Sequence, residues 1–131
     1  MTDGLDPDVI AFAHQMFDLA RNGETARLAE YVDAGLPPNL TNDKGDTLLI
    51  LAAYNAHPDT VRALLERSAD PERVNDRGQT ALGAAVFRRS GETVRILLDR
   101  GAGPDTGSPS AVELARFFEL PDMLRLLGAR D

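Results

Sequence analysis

The sequence predicts an all-α solenoid of stacked helical units, and three observations carry that prediction. The chain repeats itself: GDTLLILAAYNAHPDTVRALLERSADPE, from Gly45, aligns without a gap to GQTALGAAVFRRSGETVRILLDRGAGPD, from Gly78, at an offset of 33 residues. Periods of this size mark architectures in which each unit buries its apolar face against its neighbours. The apolar stripe Val61, Leu64, Leu65 recurs as Val94, Leu97, Leu98 at helical spacing. Finally, the 131 residues are 43% apolar and contain no cysteine, which suits one domain held by packing rather than disulfides.

The elements follow in order. A helix is expected from about Pro7 to Arg21, acidic at its start and placed to shield the first interface. Carrying the frame back sets Leu19 and Ala20 under Ala52 and Ala53, Leu28 under Val61, Gly35 under Ser68 and Pro38 under Pro71. A first unit over residues 7–43 results, with its opening turn rewritten. In the second unit, residues 44–76, the run from Leu48 to Ala53 fits a buried strand or a buried helix by periodicity alone. The repeat resolves it as an inner helix with Thr47 as its cap, paired alanines for close approach, and Pro58 opening a second helix. The third unit, residues 77–106, has Thr80 in the capping place and Gly83 within the helix, where glycine costs about 1 kcal/mol relative to alanine. That glycine permits close helix packing or a small recess beside Phe87. Gly101 closes the second helix of this unit, as Gly35 does in the first, in a left-handed turn. The fourth unit, residues 107–131, fits at an offset of 30, with Ser110 under Thr80, Ala115 under Ala85, Leu124 under Val94 and Leu127 under Leu97. Its second helix opens at Pro121, and the segment connecting it to the third unit is shorter.

This pattern resembles the ankyrin repeat, whose 33-residue unit reads roughly Gly-x-Thr-Pro-Leu-His-x-Ala-Ala and ends Val-x-x-Leu-Leu-x-x-Gly-Ala-Asp. The second unit matches with Gly45, Thr47, Leu49, Ala52, Ala53, Val61, Leu64, Leu65, Ala69 and Asp70. The third matches with Gly78, Thr80, Leu82, Ala84, Ala85, Val94, Leu97, Leu98, Gly101 and Ala102. The resemblance runs from about residue 8 to residue 128. It implies helix-turn-helix units joined by β-turn fingers in one domain over residues 1–131. It also implies a non-enzymatic protein-protein interaction module that binds a protein partner through its concave groove and finger tips. An accessory or stabilising role for a bacterial enzyme such as a catalase, and an engineered or reconstructed ankyrin binder, are alternatives that the resemblance admits. Two departures stand out: the family's proline becomes Leu48, Ala81 and Ala111, and its histidine becomes Ile50, Gly83 and Glu113. Without those histidines, looser fingers are expected.

Candidate binding residues follow from the frame. The concave positions just after the alanine pairs hold Arg21 and Asn22, Tyr54 and Asn55, Phe87 and Arg88, and Phe117 and Phe118. Tyr54, Phe87 and Phe117 therefore form a column, and aromatics beside arginine are favoured in binding hot spots. The competing expectation is that these rings pack on one another. Asp43, Lys44 and Asp46 in one tip, with Asp76, Arg77 and Gln79 in the next, occupy positions that ankyrin proteins vary for recognition.

Other classes of function find little support. A formal charge of −7, from 21 acidic and 14 basic residues, opposes nucleic acid and points to a partner with a basic or mixed surface. The amino end MTDGLDPDVI is acidic where a secretory signal would be basic, and no apolar run suggests a membrane span, so a cytoplasmic monomer is expected. Lys44 is the only lysine, a bias suggestive of a GC-rich bacterial genome. His14 and His57 are too few for a His-rich metal site, and His57 falls in the turn between helices, where a structural role is expected. Gly101-Ala102-Gly103 superficially resembles a dinucleotide-binding fingerprint, but that motif must open a helix and this one closes one. No motif brings a nucleophile to a base. The acidic pairs Asp43 with Asp46 and Glu66 with Asp70 read as solvated surface. No catalytic residue, cofactor or metal is implied.

Overall fold

Hydroxyl caps start the inner helices, and left-handed residues stop them. The computed structural model describes residues 6–129; Asp3 of the acidic amino end and Asp131 of the expected final cap lie outside the described residues. Thr47, Thr80 and Ser110 are buried, and their hydroxyl oxygens accept from the backbone N–H of Ile50, Gly83 and Glu113 at 3.0, 3.0 and 3.1 Å. Each bond satisfies one donor that a helix start leaves without an intrahelical partner. At Ser110 the Glu113 carboxylate also accepts from the Ser110 N–H, completing a capping box. Seven residues later each helix ends, because Ala56, Arg89 and Glu119 adopt φ of 60°, 57° and 54°. Gly23 takes the same place in the first unit, with φ 70°.

Eight helices result among the described residues: α1 Pro7–Asn22, α2 Thr25–Asp33, α3 Leu48–Tyr54, α4 Pro58–Glu66, α5 Ala81–Phe87, α6 Gly91–Asp99, α7 Ala111–Phe117 and α8 Pro121–Leu126. They pair in sequence. The inner helices α1, α3, α5 and α7 form one layer in chain order, and α2, α4, α6 and α8 form the layer behind. No pair is large enough to bury its own stripe, so the core is continuous along the stack, with Met16, Leu28, Leu49, Leu64, Leu82 and Leu97 almost wholly buried. Each such leucine contributes about 1.5–3 kcal/mol on burial. The run GDTLLILAA is a turn, a cap and an inner helix covered by neighbours on both sides.

Polar ties repeat with the same register. The Asn39 carboxamide accepts from the Asp70 N–H at 2.8 Å, and Glu72, one period later, accepts from the Gly103 N–H at 2.7 Å. His57 donates from Nε2 to the Arg21 carbonyl at 2.8 Å, and its ring packs so closely on Gly23 that a Cβ there would lie 2.6 Å from the ring. That contact gives His57 a structural task between the first two units. Gly101 closes α6 with φ 89° and opens no helix, so the resemblance to a dinucleotide fingerprint has no structural counterpart.

The fingers correct one expectation. They lack the family's histidine bonds but are tied by two asparagines instead. Asn42 Oδ1 accepts from the N–H groups of Lys44 and Asp46, and Asn75 Oδ1 accepts from those of Arg77 and Gln79, all at 2.9 Å. The Asn75 amide then donates at 2.8 Å to both Asp46 Oδ1 and Gln79 Oε1, while the Asp76 N–H donates to the Lys44 carbonyl. One buried side chain thereby holds its own finger and the preceding one.

Candidate functional site

The inner helices end where the fingers begin to overhang them, and a groove of about 670 Å³ lies between. Its floor is aromatic. Tyr54 and Phe87 stack with ring centroids 5.8 Å apart and planes within 7° of parallel, and each remains 46% exposed. Stacking and exposure therefore coexist: the rings pack on one another and still offer apolar surface. Ile50, Leu51, Gly83 and Ala84 line the helix wall. At Gly83 a Cβ would sit 3.3 Å from both Leu114 Cδ1 and Thr80 Oγ1, so this glycine serves close packing and borders the groove as well.

The opposite wall is made by the two asparagine-tied fingers. Asp43, Lys44, Asp46, Asp76, Arg77 and Gln79 all line the groove, as do Asn55, Tyr54 and Phe87 from the helix ends. The Asn55 amide is engaged, donating to the Leu51 carbonyl at 2.8 Å. Arg88 and Phe117 are the candidate residues that do not line it. Arg88 is exposed just beyond Phe87 at the edge. Phe117 is 78% exposed and lies in a second recess of about 520 Å³, shared with Ser108, Pro109, Glu113, Leu114 and Phe118.

The third ring of the ladder is a neighbour of the expected one. Phe118, not Phe117, meets Phe87, edge to face at 5.9 Å, and Phe117 touches only Phe118 within the ladder, at 5.0 Å. The cause is local: Phe118 is the C-cap residue of α7, so its ring swings back toward α5 while Phe117 points away. Asn42 and Asn75 complete the groove without having been singled out from the sequence. The signal was present, since NDKGDT and NDRGQT repeat asparagine three residues before each finger glycine.

No group of three or more His, Cys, Asp and Glu among the described residues is placed to hold a metal ion. None of the described helices is long and apolar enough to cross a membrane. The groove is a surface with flat apolar rings, hydrogen-bonding amides and charges of both signs, which suits recognition of another chain more than chemistry on a small substrate.

The family model for ankyrin repeats, in three copies, matches residues 16–108. The chain belongs to the ankyrin-repeat family. The ankyrin chain is also 54% identical over 66 residues to an ankyrin repeat protein of Pseudomonas aeruginosa, a match that covers 47% of this chain and 39% of that relative. The chain thus spans about two fifths of the length of the curated relative it matches. Ankyrin repeats are in general protein-protein interaction modules. Within this ankyrin chain the matched residues contain both asparagine-tied fingers and the Tyr54–Phe87 stack.

Proposed function

We propose that the protein is a non-enzymatic binding module that takes a protein partner in the groove between the inner helix ends and the first two fingers. The observation that carries this reading is the coincidence of exposed stacked aromatics with two preorganised fingers around one groove. Binding hot spots favour aromatic anchors in walled pockets ringed by polar contacts. Preorganised fingers also reduce the entropy lost when a partner docks. A standard interface covers about 800 Å² of each partner, so contacts are expected to spread from the groove onto Arg88 and the outer surface of the tips.

A photocrosslinking amino acid tests the location directly. Placed at Asn55, in the groove, it is expected to trap a partner from lysate of the source organism. Placed at exposed Arg95 on α6, it is expected to trap none of that species. Equal trapping at both positions, or trapping at position 95 alone, would remove the groove from consideration.

A further inference from the structure

The net charge hides an uneven distribution. The outer helices α2, α4, α6 and α8 carry seven carboxylates against four arginines. The groove is different: its carboxylates Asp43, Asp46 and Asp76 are matched by Arg21, Lys44 and Arg77. Beside it stand Arg88 and Arg89, both exposed, which form no ion pair among the described residues. Asp46, moreover, is already bonded to the Asn75 amide at 2.8 Å. The aromatic floor therefore borders a surface with an excess of available cations.

Resting on the groove reading above, we infer that the preferred occupant is an acidic segment of a partner protein that carries an aromatic side chain. Its ring extends the Tyr54–Phe87 stack on the side where the first unit supplies Arg21 in place of an aromatic. Its carboxylates meet Arg88 and Arg89, whose guanidinium forks bind carboxylates in paired hydrogen bonds. The overall acidity does not prevent this. The outer layer lies about 10 Å behind the inner helices, one helix diameter, and physiological salt screens charges beyond about 8 Å. Local cations dominate at contact distance. This reverses the expectation of a basic or mixed partner drawn from net charge alone.

Two fluorescein-labelled pools of synthetic peptides test the inference on the full chain. Both hold a central phenylalanine, flanked by Asp and Glu in one pool and by Lys and Arg in the other. By anisotropy at low salt the acidic pool is expected to bind at least about tenfold more tightly, with the advantage shrinking as salt rises. Arg88→Ala with Arg89→Ala, at exposed positions and checked by circular dichroism, is expected to erase that preference. Tyr54→Ala is expected to weaken the acidic pool strongly. A tighter basic pool that needs Tyr54 overturns the charge inference while sparing the groove. Binding indifferent to Tyr54→Ala removes the groove and the inference together. Equal pools, no binding by either, or a preference that survives the arginine substitutions also overturns the inference.

Discussion

The central and terminal recesses occupy similar places in the repeat and are built differently. The central one is walled by two units, floored by the Tyr54–Phe87 stack and overhung by fingers that Asn75 holds together. The terminal one is lined by residues of the last unit alone, from Ser108 to Phe118. Its finger lacks the asparagine: Thr106 instead donates to Glu72 at 2.6 Å, tying the shortened segment back to the preceding loop. An exposed phenylalanine is present in both. What differs is the wall opposite the ring, and that wall comes from cross-repeat hydrogen bonds rather than from the aromatic column. An aromatic position in a repeat becomes a candidate site only where two neighbouring units enclose it.

Substitutions can break this contrast in graded steps. Leu97→Ala removes a wholly buried side chain from the core beneath both recesses. A loss of about 2–5 kcal/mol is expected, measured by urea unfolding, with both recesses lost at once. Asn75→Ala strikes the central recess only. It leaves the Arg77 and Gln79 N–H groups and the Asp46 carboxylate without their partner, so about 1–3 kcal/mol is expected, with faster amide exchange at residues 42–46 and 75–79. A change of less than about 0.5 kcal/mol would show that the fingers stand without it. Phe117→Ala should be smallest, within about 0.5 kcal/mol, because the ring is 78% exposed. A substantial loss there would mean that the terminal recess is more built than its single-unit lining indicates.

Much of this organisation is legible in the sequence because the repeat states it several times. The cap hydroxyls Thr47, Thr80 and Ser110, the alanine pairs and the stripe through Leu64 and Leu97 recur at a constant offset, and each performs the same local task. The details that escape depend on direction or on distant partners. Phe117 holds the register position of Phe87, yet ring direction at the end of α7 gives the contact to Phe118. Asn39 and Glu72 make the same tie with different chemistry, so the equivalence does not show as a residue match. The asparagines at 42 and 75 were visible as repeats, but their work lies in bonds to residues of neighbouring turns. Charge is the clearest case. A total of −7 says nothing of which layer holds it.

The central claim is that the walled recess binds and the terminal one does not. Calorimetric titration of the partner trapped at Asn55 into Tyr54→Ala and Phe117→Ala tests it most directly. With unchanged circular dichroism, Tyr54→Ala is expected to cost about 2 kcal/mol or more, roughly a thirtyfold rise in Kd, and Phe117→Ala less than about threefold. Equal losses, or a full-strength complex with Tyr54→Ala, would contradict the assignment.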